Sequence, residues 1–183
     1  MTSKIKNMIQ CVAVLAIIAL CSGLLLGAFN ILTYVDPFQA ALDGFKEDSG
    51  AQGEFTMVVA EKPVQYERGK IIYYAVSDDA EPVHAFLTSG AGGYGGDVQL
   101  YIYIRENKIY KIVVGENQET LWNKFKEEFY EQFYGKEITQ FVNVADSDLS
   151  VQPTPAKTLD AILNSLRATA NYYQENISGG TRS

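Results

Sequence analysis

Residues 90–121 read GAGGYGGDVQLYIYIRENKIYKIVVGENQETL, and the fold turns on how this stretch is read. Val98, Leu100, Ile102 and Ile104 alternate with Gln99, Tyr101, Tyr103 and Arg105, the period of two that marks a strand covered on one face. Residues 108–114 supply its partner, with Glu106-Asn107 joining the two. Five glycines around Ala91 and Tyr94 stand in front of the pair, and a polar loop carrying Glu119 and Thr120 follows it. The glycines lie between two strands instead of between a strand and a helix, which excludes a dinucleotide fingerprint; the missing Gly-Lys-Ser/Thr excludes a P-loop. What they permit is positive φ and close approach of another group to the backbone. Two readings stay open: a bulged hairpin connection, with Tyr94 covering the core edge, or a turn whose Tyr94 stacks on a planar ligand.

Working outward, residues 70–77 and 82–89 are β-rich and separated by Asp78-Asp79-Ala80-Glu81, a turn composition, so a hairpin leads into the glycines. Downstream the period becomes helical: Leu121, Phe125, Phe129 and Phe133 recur every four residues. This predicts an amphipathic helix with Thr120 as N-cap and Gly135 past its C-terminus. Residues 138–144 read as a further strand. Leu159, Ile162, Leu166, Ala170 and Tyr173 form the stripe of a second amphipathic helix over residues 155–173, with Thr154-Pro155 as its cap and first position. Strands interleaved with two helices define an α+β domain over residues 70–173.

Residues 7–35 carry no charge, a run longer than the roughly 20 residues that cross a bilayer core. The segment 1–35 reads as one transmembrane helix, a cleavable signal being the alternative. Lys4 and Lys6 precede it while Asp36 and Glu47 follow, so the N-terminus is expected in the cytoplasm and the main domain outside the cell membrane. Residues 36–69 read as a connecting segment: a short helix from Asp36-Pro37, with Phe38, Ala41, Leu42 and Phe45 at helical spacing, then a polar linker over 47–54. A net charge of −7 without a basic run argues against nucleic acid. With His84 the only histidine and both cysteines, Cys11 and Cys21, inside the apolar segment, no histidine- or thiolate-based catalytic or metal site is expected.

Two polar elements have competing readings. Glu119-Thr120 either complements a helix dipole or faces a ligand. The tail Ser178-Gly179-Gly180-Thr181-Arg182-Ser183 is either a disordered end or a segment whose backbone approaches a phosphate closely enough for Thr181 Oγ1 to be esterified.

Together these residues resemble the FMN-binding subunits of membrane redox pumps, namely the G subunit of Rnf-type complexes and the C subunit of the sodium-pumping NADH:quinone reductase. The resemblance rests on Gly93-Tyr94-Gly95-Gly96, the hairpin over 97–114, the loop 116–120 ending in Glu119-Thr120, and the aromatic run 129–136 closing on Gly135-Lys136. It implies an FMN-binding-type α+β domain of antiparallel strands with two amphipathic helices on one membrane helix. It further implies an electron-carrier subunit, not a self-contained enzyme, in a redox-driven ion-pumping complex with other membrane subunits. FMN would be joined to a threonine through a phosphoester by a separate flavin transferase.

Two departures shape the expected site. Pro-Gly-Leu-Gly of the family is Leu121-Trp122-Asn123-Lys124 here, and the usual attachment segment before the last helix is the glycine-free Ser150-Val151-Gln152-Pro153-Thr154. The tail matches the attachment motif in kind. The resemblance therefore implies covalent FMN at Thr181, with Ser178, Gly179 and Gly180 around it, Thr154 as the weaker alternative, and Tyr94, Gly95, Glu119 and Thr120 facing the flavin. The alternative is a structural or docking subunit that kept the fold and lost its flavin.

Overall fold

A computed structural model describes residues 3–117 and 119–179 and divides the chain into two compact units at Pro37. The first is helix α1, Ser3–Thr33. At 1.5 Å per residue it is about 46 Å long, more than the ~30 Å of a hydrocarbon core. Its apolar side chains, Leu24 and Leu26 among them, are exposed, so α1 is long and apolar enough to cross a membrane.

The second unit is α+β. Helix α2 (Pro37–Ser49) is followed by β1 (Phe55–Val59), β2 (Val64–Tyr66), β3 (Gly69–Ser77), β4 (His84–Gly90), β5 (Val98–Arg105) and β6 (Lys108–Val114). These strands form one antiparallel sheet in the order β1-β3-β4-β5-β6, with β2 also paired to β3. Glu106 and Asn107 connect β5 to β6 with φ of 50° and 64°, the left-handed pair that matches the twist of a two-residue hairpin.

The alternation in β5 decides which core each side chain enters. Leu100, Ile102 and Ile104 are buried with Leu159, Ile162 and Leu166 of the last long helix, α4 (Ala156–Tyr173). On the opposite face Tyr103 is buried with Ala75, Ala85 and Phe45 of α2. The segment expected to connect anchor and domain is thus part of the domain: α2 covers one sheet face and β1 extends the sheet. The period in β1 is short, only five residues, and the polar residues after Phe45 mask the fact that α2 continues to Ser49.

Helix α4 lies unusually close to the sheet. Gly69 and Gly90 face each other in the β3/β4 register. A Cβ on Gly90 would sit 1.9 Å from the Ala161 carbonyl oxygen, and one on Gly69 2.4 Å from that of Asn164. Two side chains fix the crossing, Asn164 Nδ2 donating to Ala91 O (2.9 Å) and Ser165 Oγ to Val98 O (3.1 Å).

The helix expected from Leu121 onward is broken. A 3-10 turn, Trp122–Lys124, and the single-turn helix α3, Glu127–Glu131, are separated by extended backbone at Phe125 (ψ 93°) and Lys126 (ψ 174°). Leu121, not Thr120, occupies the N-cap position of the first turn. The phenylalanines are buried all the same: Phe125, Phe129, Phe133 and Phe141 stack edge to face with centroids 4.9, 5.4 and 5.6 Å apart. Their burial outweighs helix continuity, because a short helix is marginal without tertiary packing. Residues 138–144 likewise form no strand. Ile138–Phe141 is a 3-10 turn whose ends are buried, tied to the sheet by the Lys108–Glu137 bridge and by Ile138 N–H donating to Asn107 O (2.9 Å). Gly135 has φ of 75°, the left-handed conformation expected at the end of the aromatic run.

Tyr134 guards the open edge of β6. Its hydroxyl accepts from Ile112 N–H (3.3 Å) and donates to Glu127 Oε1 (3.1 Å), and burial pushes its pKa up to about 12. Tyr134→Phe should cost about 1 kcal/mol, the net worth of one hydrogen bond, by leaving that N–H unpaired. An unchanged urea midpoint would refute the role.

Candidate functional site

The glycine turn and the polar loop meet through one carboxylate. Glu119 is 1% exposed. Its Oε2 accepts from Gly95 N–H (2.7 Å), while Oε1 accepts from Leu121 N–H (3.0 Å) and from the Thr158 hydroxyl in the first turns of α4 (3.3 Å). Burial works to raise its pKa, but the N–H groups of Gly95, Leu121 and Tyr94 together with the Thr158 hydroxyl outweigh that and hold it below the ordinary 4.5. Gly93 is required by this clamp and by the turn itself: a Cβ there would lie 2.3 Å from Gly96 O and 2.5 Å from Glu119 Oε2. The groups that approach this turn closely belong to the chain itself, the Glu119 carboxylate at Gly93 and the Arg68 guanidinium at Gly92.

Around the clamp, other groups face solvent. Tyr94 is 61% exposed, with Lys157 Nζ 5.0 Å from its ring centroid, within cation–π range. Gly95 and Thr120 are exposed, as is Trp122, three residues beyond Glu119. Thr154 is exposed just ahead of α4; Pro155 holds the N-cap position and no side chain caps the helix, so the capping role expected of Thr154 is not observed. One end of α4 thus gathers an exposed aromatic ring, an ammonium, the positive end of a helix dipole and an exposed hydroxyl. That set can hold a phosphate beside a planar ring.

The described part of the tail lies at the other end of α4. After Tyr173 the chain continues in a π-helical turn, Gln174–Ser178, in which Ser178 Oγ bonds to the carbonyls of Tyr173 and Gln174 (3.4 Å each) and Gly179 N–H to Gln174 O (3.2 Å). The 18 residues of α4, about 27 Å, separate Ser178 and Gly179 from Tyr94, Gly95, Glu119 and Thr120. Gly180 and Thr181 are outside the described residues. Lys157 and Thr158 were not singled out from sequence. Their only signal is their place in the first turn of α4, and which loop that turn would meet is a property of the tertiary fold.

In comparisons with family models, curated proteins and solved structures, no match to this chain is found.

Proposed function

We propose that the chain is a membrane-anchored electron-transfer subunit of an Rnf-like, redox-driven ion-pumping complex and holds FMN at the N-terminal end of α4. The observation that carries this reading is the Tyr94–Lys157 pair at the same helix end as the Glu119 clamp and Thr154. Tyr94 and Trp122 would contact the flavin ring, and Lys157 with the helix N-terminus would balance the phosphate. FMN, when bound, supplies single-electron chemistry, and the protein contributes its placement and electrostatics. In this reading α1 spans the cell membrane with Lys4 and Lys6 on the cytoplasmic side, and the domain meets the other subunits outside.

Thr154, exposed just ahead of α4, is the attachment point in this reading; Thr181 lies outside the described residues. Intact-mass measurement after coexpression with a flavin transferase should show an FMN adduct that Thr154→Ala removes and Thr181→Ala keeps. The reverse pattern moves the attachment to the tail. Absence of flavin, covalent or bound, rejects the redox reading in favour of a docking subunit, which the full engagement of Glu119 within the protein also favours.

A further inference from the structure

A second cavity shares no residue with the Glu119 clamp. A cavity of about 560 Å³ lies between the β2–β3 turn, residues 142–145 and the middle of α4, a size typical of small-ligand pockets. Tyr66, Glu67, Arg68, Asn143 and Arg167 give it its chemistry.

The positive charges there are already matched. Arg68 Nη1 is 2.7 Å from Asp160 Oδ2 and Arg167 Nη1 3.5 Å from Asp160 Oδ1; Arg167 also donates to Val144 O (2.8 and 2.6 Å) and Asn164 Oδ1 (2.7 Å). With the Glu67 carboxylate beside them, the cavity offers an anion no surplus charge. What stays open is a neutral mix of donors and acceptors: the remaining N–H groups of the half-exposed Arg68, the carboxylate of Glu67 and the amide of Asn143. Glu67 and Asn143 are exposed, and no hydrogen bond or ion pair engages their side chains among the described residues. Tyr66 adds an apolar wall, its hydroxyl held by Glu175 Oε2 at 3.1 Å.

The cavity also continues. Arg68 and Gly69 border a depression of about 140 Å³ that reaches Lys70, Ser89 and Asp97, and those three border a further cavity of about 630 Å³ whose other walls are Gly96, Gln99, Glu116 and Asn117, beside the glycine turn. Its one cation is matched, Lys70 facing Asp97 at 3.6 Å and Ser89 donating to Asp97 at 3.2 Å, and Glu116, also lining it, leaves no positive charge for an anion. An aromatic wall, a hydroxyl-matching rim, no surplus positive charge and an elongated path suit one class of ligand. The geometry points to a binding groove for a neutral oligosaccharide, seated first in the Tyr66–Glu67–Asn143 cavity. This assignment does not rest on the flavin reading.

The test uses the full chain in a detergent without a sugar headgroup, titrated calorimetrically with cellohexaose, maltohexaose and an N-acetylglucosamine hexamer. At least one should bind saturably at up to millimolar concentration, and Glu67→Gln and Asn143→Ala should each weaken it about tenfold or more while the circular dichroism spectrum stays unchanged. Thr154→Ala should leave binding intact, which separates this site from the proposed flavin site. The assignment is overturned if none of the three binds, if both variants bind as the parent does, or if inorganic phosphate or a mixed-sequence hexapeptide displaces the sugar from the groove.

Discussion

Glu119→Ala should destabilise the domain by about 2–4 kcal/mol, because it removes the acceptor of three donors at once. A buried, unpaired polar group costs about 1–3 kcal/mol; the Thr158 hydroxyl is fully buried and the Leu121 N–H half-buried, while the N–H of the exposed Gly95 can turn to water. Against a typical total stability of about 5–15 kcal/mol, that is a large share. Glu119→Gln keeps the shape and one acceptor, so it should cost less, about 2 kcal/mol. Urea unfolding followed by the fluorescence of Trp122, the only tryptophan, reads both, and a variant as stable as the parent would remove the clamp from the account. The same carboxylate predicts a pH dependence. Its folded pKa lies below the ordinary 4.5, so between the two values the unfolded chain binds more protons than the folded one. The stabilisation is therefore complete above about pH 4.5 and is lost as pH falls through the folded value. In Glu119→Gln this part of the slope should vanish.

Gly90→Ala should cost about 2–3 kcal/mol, at the upper end of overpacking effects. Its new methyl would fall 1.9 Å from the Ala161 carbonyl and 2.6 Å from Ser165 N, both backbone atoms of a helix that cannot yield locally. Helix α4 has to lift from the sheet, which stretches the Asn164–Ala91 and Ser165–Val98 bonds and moves Lys157 and Thr158 away from Tyr94 and Glu119. Gly44→Ala is the control of opposite sign: it lies inside α2, meets nothing within 4 Å, and should gain about 0.5–1 kcal/mol from helix propensity. Thermal melting of the two variants side by side decides it, and a Gly90→Ala protein at least as stable as Gly44→Ala would contradict the close-packed crossing.

Much of the fold was legible because its signals are local. The alternation over 98–105, the Glu106-Asn107 turn, the stripe of α4 and the uncharged run of α1 each declare themselves within a dozen or so residues. The run from Leu121 to Phe133 was misread for the same reason. Its four-residue spacing is a true signal of burial, yet the rings enter the core from a broken backbone because Phe141 and the sheet, not a helix, set their positions. The candidate site was legible only in pieces. Tyr94 and Glu119 stood out in sequence, but Glu119 carried two readings, and its inward direction depends on Thr158, 39 residues away.

The sequence by itself determined that an uncharged helix precedes an α+β domain, and that a glycine turn, a hairpin and a loop ending in Glu119-Thr120 follow one another. Only the tertiary structure decided what the glycines are for. Gly93 admits a buried carboxylate and Gly69 and Gly90 admit a helix backbone, since a missing Cβ acquires meaning only from the atom that comes to occupy its place.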